Sequence, residues 1–206
     1  MPGSAGEHRL QQQWDTTRRA CAFYNQQVLE HLNPTMQAFI ARQELLWIAT
    51  ADARGECDCS FRAGPPGFVR VVDPKTCAFP EYRGNGVMAS LGNISENPHI
   101  GLVFIDFFAS RVGLHINGRA RIVDAAELPE LETKAVGASE MQARCAEPSG
   151  QQWVLIEVAE AYIHCSKHIP LLAQVAPSRL AGADGLAAGS GDYFRARATP
   201  RPWTAH

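Results

Sequence analysis

Long hydrophobic runs are missing from this chain of 206 residues: no apolar stretch approaches the roughly 20 residues of a membrane-spanning helix, and the opening segment MPGSAGEHRLQQQW has no apolar core of the kind a secretory signal needs. A cytoplasmic protein is the expectation. A strong charge of either sign is missing too, with 19 basic against 21 acidic residues and a net charge of −2, so no long-range field favours nucleic acid or an anionic membrane. No GxSxG nucleophile motif occurs, which leaves hydrolase chemistry unsupported. There is also no CxxC or HExxH pattern, and no metal is expected, although His164, Cys165 and His168 lie close together in sequence. Six cysteines (Cys21, Cys57, Cys59, Cys77, Cys145 and Cys165) stand in apolar segments and read as buried free thiols.

What is present is enough apolar material, 46% of residues, for one domain with a proper core. From about Arg9 to Leu32 the residues Leu10, Trp14, Cys21, Tyr24, Val28 and Leu32 recur at helical spacing, which predicts one long or two short helices. Asn33-Pro34 then offers a side-chain cap and a proline at the first helical position, starting another helix that runs to about Gln43.

After Gln43 the period changes to that of strands. Leu45–Ala51 and Glu56–Arg62 form a hairpin around Asp52-Ala53-Arg54-Gly55, with Cys57, Cys59 and Phe61 alternating against Asp58, Ser60 and Arg62. Phe68–Val72 and Thr76–Phe79 form a second pair, which Pro80 is expected to end because proline cannot supply a ladder donor. A short helix is expected within Val87–Ser95, and His99–Asp106 reads as a central strand. Arg111–Asp124 alternates clearly, with Leu114, Ile116, Gly118, Ala120 and Ile122 against His115, Asn117, Arg119 and Arg121; Trp153–Tyr162 is the last long strand. Residues 124–146 read as helix and loop, and the stretch beyond Pro177 is too poor in large apolar groups to repay its ordering entropy, which predicts a flexible or partner-ordered tail. The divisions are 1–43, 44–176 and 177–206. Without regular βαβ alternation, about six strands joined by hairpins argue for a mainly β (α+β) fold, a closed antiparallel barrel with N-terminal and peripheral helices.

The richest stretch for chemistry is Phe61–Pro98. Arg62, Arg70, Tyr82, Arg83, Asn85, Ser90 and Asn93 stand at strand ends or turns there, where guanidinium, amide and hydroxyl donors could converge on a phosphate at a barrel rim. From spacing alone, surface turn residues and phosphate donors are equally open readings. Gly64-Pro65-Pro66-Gly67 and Gly84-Asn85-Gly86 are turns, and no phosphate loop of nucleotide triphosphatases occurs. His99 and His115 read as structural histidines on strands.

The segments ELLWIATADARGECDCSFRAGPPGFVRVVD, CAFPEYRGNGVMASLGNISENPHIGLVFID and HINGRARIVD, in that order over Gln43–Asp124, resemble the pyridoxamine 5′-phosphate oxidase-like family of FMN-binding split β-barrels; YIHCSKHIP resembles the element that follows the barrel. The resemblance implies an oxidoreductase working as a homodimer, with two FMN molecules at the subunit interface and a small-molecule redox substrate. It implies Arg62 and Arg83 as phosphate ligands, Asn85, Ser90 and Asn93 as supporting donors, Tyr82 as a wall, and His115, Asn117, Lys167 and His168 of the second subunit at the isoalloxazine edge. Arg70 completes the candidate set. The RxVLLK, SRK and RxH signatures of true pyridoxamine phosphate oxidases are absent, which points to a different substrate. Alternatives on the same fold are a non-catalytic or redox-sensing flavin binder, a deazaflavin-dependent reductase, and a haem protein with His164 or His168 as axial ligand.

Overall fold

The structure is a computed structural model and describes residues 2–82, 84–128, 130, 152–175, 196–199, 201 and 203. The chain divides into two compact units, Met1–Pro170 and Leu171–His206. The expected flexible tail and the helix-and-loop reading of 124–146 lie largely outside the described residues. Among the described residues of the second unit, a 3₁₀ turn, Ala196–Ala198, is closed by Thr199 N–H donating to Ala196 O, and the Arg201 guanidinium donates to the carbonyls of Thr199 and Ala196.

The first unit opens with α1 (Ala5–Gln13) and α2 (Thr17–Gln27), two short helices separated at Asp15, whose φ of 51° breaks the helical run. α1 begins with a capping box: Ser4 Oγ accepts from Glu7 N–H while the Glu7 carboxylate accepts from Ser4 N–H. The third helix, α3 (Pro34–Ile40), starts as its sequence predicts, with Asn33 Oδ1 accepting from Met36 N–H at 2.9 Å and Pro34 at the first position. It ends three residues earlier than Gln43, and Gln43 is buried with its amide donating to Phe39 O.

The strands are β1 (Leu45–Ala51), β2 (Cys57–Ala63), β3 (Arg70–Asp73), β4 (Thr76–Glu81), β5 (His99–Ile105), β6 (Gly113–Asp124) and β7 (Gln152–His164), with helix α4 (Ala89–Glu96) between β4 and β5. They form one antiparallel sheet in the order β2-β1-β5-β6-β7-β4-β3. That is seven strands where about six were expected. Among the described residues β2 and β3 each pair on one side only, so the sheet curls as a split barrel and is not closed by hydrogen bonds. Pro80 does not end β4, which continues to Glu81. β3 pairs with β4 only as far as Ala78, so at Pro80 there is no neighbour on that side and the missing donor costs no ladder bond.

Face assignment follows from register. The row Ser60, Ile48, Leu102, Ile116, Ala161 runs across five strands and faces the interior. There Leu46, Ile48, Leu102, Phe104, Ile116, Phe79, Val154 and Ile156 make the main core, which α3 and α4 cover with Phe39, Ile40, Leu91 and Ile94. The next row, Phe61, Trp47, Val103, His115, Tyr162, faces the other way. At the far end of that outer face Val72, Ala78, Val123, Leu128, Trp153 and Leu155 form a second, smaller cluster.

The expectation of buried cysteines fails. Cys77 alone is buried among the described cysteines; Cys57, Cys59 and Cys165 are exposed, Cys21 is half-buried, and Cys145 lies outside the described residues. The reason is strand position. β2 is an edge strand, and its interior-facing positions are taken by Asp58, Ser60 and Arg62, so the alternation turns Cys57, Cys59 and Phe61 outward.

Candidate functional site

The three polar residues that β2 turns inward meet the end of β4 and the start of α4 around a cavity of about 450 Å³. Its walls are Asp58, Ser60 and Arg62 from β2, Glu81 and Tyr82 from the end of β4, the turn Gly84 to Met88, and Ala89, Ser90 and Leu91 from α4. The turn is built for tightness: Asn85 Oδ1 accepts from Val87 N–H at 3.0 Å, Gly86 has a φ of 80°, and Met88 enters α4 from a φ of 56°. No side chain caps the α4 N-terminus, whose first residues, Ala89 to Leu91, line the cavity.

The charges in this cavity are tightly bound to one another. Arg62 Nη2 lies 2.9 Å and 3.2 Å from the two carboxylate oxygens of Glu81, and Nε donates to Oε2 at 3.3 Å. Its Nη1 donates to Ser60 Oγ at 2.7 Å and to Phe61 O at 3.0 Å, while Nη2 also reaches Ser90 Oγ at 3.4 Å. Ser90, itself buried, donates to Asp58 Oδ2 at 3.3 Å. The Arg62 and Glu81 side chains are only 14% and 13% exposed, so this is a sheltered, forked ion pair and not a surface contact.

The outer face carries a different group. His115 Nε2 is 2.8 Å from His164 Nδ1, and the His115 ring stacks on Tyr162 with centroids 4.9 Å apart and planes 17° from parallel. Burial holds the His115 imidazole below its ordinary pKa, and the nearby His164 adds to the shift. Asn117 Nδ2 donates to Glu160 Oε1 at 2.8 Å. Beside this group lies a second cavity of about 600 Å³, where Phe23 and Tyr24 of α2 and Glu7 of α1 face Asn117, Glu160 and Tyr162.

The structure therefore sorts the sequence candidates into separate places. Arg62, Tyr82, Asn85 and Ser90 converge on the β2–α4 cavity. Asn93 lies one turn further along α4, with its amide donating to Thr50 Oγ1 at 3.0 Å. Arg83 belongs to the same turn in sequence and lies outside the described residues. Arg70 stands on the outer face at the β3 end, its guanidinium 5.0 Å from the Trp153 ring centroid. His115 and Asn117 are on the outer face of β6, and Lys167 and His168 are exposed in the segment after β7, where His168 has a φ of 74°.

Residues of these groups that were not singled out from sequence include Asp58, Ser60, Glu81, Glu160 and Tyr162. For Asp58 the signal was available, since it shares the period-two face of Arg62. Glu81 stands 19 residues from Arg62, and only the strand order brings the two together.

No curated protein matches the chain. Among solved structures, HupZ from Group A Streptococcus is similar at 23% identity and a TM-score of 0.46, covering 68% of this chain and 98% of its own. HutZ, the heme storage protein from Vibrio cholerae, is similar at 15% identity and a TM-score of 0.41, covering 64% of this chain and 94% of its own. The sequence model of the pyridoxamine 5′-phosphate oxidase family matches residues 32–165, which include all seven strands and α4, and the chain belongs to that family.

Proposed function

We propose that this chain is an FMN-binding flavoprotein, an oxidoreductase acting as a homodimer on a small organic substrate other than pyridoxamine phosphate. The observation that carries the reading is the β2–α4 cavity, where a guanidinium, a buried serine hydroxyl and an uncapped helix N-terminus converge. That donor set fits a phosphoryl group, which needs several fixed donors and accepts helix N–H groups readily. Two carboxylates in the same cavity, Asp58 and Glu81, oppose an anion, so the fit requires Arg62 to be released from Glu81.

The cofactor would supply two-electron redox chemistry; the protein's part is to bind, orient and tune it. Arg62, Ser90 and the first turn of α4 would hold the phosphate. His115 and Asn117 stand on the opposite face of the same sheet, so one chain cannot bring them to the ring of a cofactor held at Arg62. A second copy can. The outer face of β1 and β2 has the character of a surface that such a copy would cover: Phe61 is 51% exposed, its ring lies 5.2 Å from Trp47, and Cys57 and Cys59 flank it along the strand. At the ring edge His115, kept neutral by burial, would act as a hydrogen-bonding group without adding charge.

The test is an absorption spectrum of the purified protein before and after loading with FMN, together with its mass by light scattering. Flavin bands that stay with a species of two chains are expected. A protein that cannot retain flavin, or that retains it as one chain, overturns the proposal.

One observation favours a second reading, haem binding at His164. Its Nδ1 is engaged by His115, which leaves Nε2 available and oriented, the usual arrangement of an iron-ligating histidine. A Soret band on haem titration that is lost in His164→Ala would establish this reading; its absence removes it.

A further inference from the structure

We infer that Glu81 is an internal anion occupying the phosphate position on Arg62, so that oxyanion binding in the β2–α4 cavity is an exchange in which this carboxylate leaves as the phosphate enters. The inference rests on the flavin reading for the identity of the phosphate, and on geometry for the rest. A guanidinium has five N–H donors. In Arg62 the contacts account for the whole fork: Nε and Nη2 face the Glu81 carboxylate, Nη1 serves Ser60 Oγ and Phe61 O, and Nη2 also reaches Ser90 Oγ. An incoming oxyanion finds no donor of Arg62 to spare until Glu81 moves.

The Ser90 hydroxyl is committed in the same way. Ser90 donates to Asp58 Oδ2, so both phosphate-binding side chains are held by carboxylates of the protein itself. Among the described residues lining the cavity, the charged side chains are Arg62, Asp58 and Glu81, a sum of one negative charge. A phosphate dianion entering unchanged surroundings would therefore meet repulsion, and with Arg62 and Glu81 only 14% and 13% exposed, solvent would screen little of it. Glu81 is placed to leave. It is the last residue of β4, followed directly by Tyr82 and the turn that carries Gly84 and Gly86, so its side chain can swing towards solvent at the strand end without disturbing the ladder to β7.

Glu81 thus sets both the affinity for the phosphate and the preference for phosphorylated over unphosphorylated ligands. The conservative replacement Glu81→Gln keeps the volume and one acceptor but removes the competing charge. In the full-length protein it should tighten FMN by at least about tenfold while leaving riboflavin, which has the same ring and no phosphate, unchanged. Inorganic phosphate, followed by ³¹P line broadening, should gain affinity in the same sense. Glu81→Asp, whose shorter side chain keeps the charge but cannot span the fork, should fall between wild type and Glu81→Gln and serves where Glu81→Gln is poorly folded. An equal or weaker affinity for inorganic phosphate in a folded variant overturns the inference. If neither FMN nor riboflavin binds wild type or variant, the flavin reading fails, and the phosphate titration still decides the role of Glu81.

Discussion

If the cofactor spans two chains, two damaged proteins should repair each other. Arg62→Gln removes the charged fork on the interior side of the sheet but keeps an amide donor beside Ser60 and Ser90. The loss of charge-assisted hydrogen bonds should weaken FMN by about 1.5–3 kcal/mol, roughly 10- to 150-fold. Asn117→Trp acts on the other face, where Asn117 holds Glu160 and Tyr162 and lines the cavity that faces α2. A large ring there occupies the place expected for the edge of the flavin, and forcing it aside costs about 1–3 kcal/mol. Each homodimer then carries two damaged sites. In a heterodimer of the two variants the damage segregates: one site takes both lesions and the other takes neither. With two affinity tags and tandem purification the heterodimer can be isolated, and a flavin fluorescence titration should find wild-type affinity at about half of its sites, with none in either homodimer. A heterodimer without wild-type sites refutes the shared site, because all ligand contacts would then come from one chain. A homodimer of either variant that binds as wild type removes that residue from the site.

Three further outcomes follow from local geometry. A methyl group added at Gly118 would lie 2.1 Å from Glu157 O, at the irregularity where β6 shifts register against β7, so Gly118→Ala should cost about 3 kcal/mol or more and lower the melting temperature by several degrees; an unchanged melting curve would contradict the pairing. His115 has its protonated form disfavoured by burial and by His164, so the stability it contributes is present above its ordinary pKa and is lost as pH falls below it; in an NMR titration His164→Ala should move the His115 midpoint upward, and a downward or null shift would argue against the pairing. Burial pushes the Cys77 thiol up to about 12, and Asp73 adds to it, whereas Cys165 is exposed, so thiol labelling mapped by mass spectrometry should modify Cys165 in the native protein and Cys77 only after unfolding. Equal labelling rates would refute that burial.

The elements were legible wherever one local signal decided them. Asn33-Pro34 specified the start of α3 through a cap that any neighbourhood would reward, and the alternation along β6 named its interior residues correctly from Leu114 to Ile122. What alternation did not carry is that the end of the strand is covered on both faces, with Ile122 against the main core and Val123 in the second cluster. The misreadings have a common cause. Whether Pro80 ends a strand depends on how far β3 reaches along β4, and whether Cys57 and Cys59 are buried depends on β2 lying at a sheet edge; both are facts about strand order, which spacing does not carry.

The same limit explains why the β2–α4 cavity looked more basic in the sequence than it is. Read along the chain, Arg62 stands with Ser60 on one face and the acidic partner is out of sight, so the arginine reads as a donor waiting for an anion. The fold delivers an anion at once. β4 and β2 occupy distant places in the sheet order, yet the curl of the sheet sets Glu81 against Arg62 with three contacts between 2.9 Å and 3.3 Å. A ligand's affinity in such a place is a difference: the energy of the phosphate on the guanidinium less that of the carboxylate it displaces. A free arginine would hold any available anion. An arginine already held by glutamate releases that partner only for a ligand that brings more, such as a phosphate reaching Arg62, Ser90 and the α4 N-terminus together. Under the proposed exchange the acidic residues in the cavity are what would make it selective, and the sequence stretch that reads as a phosphate cradle would serve as a phosphate exchanger.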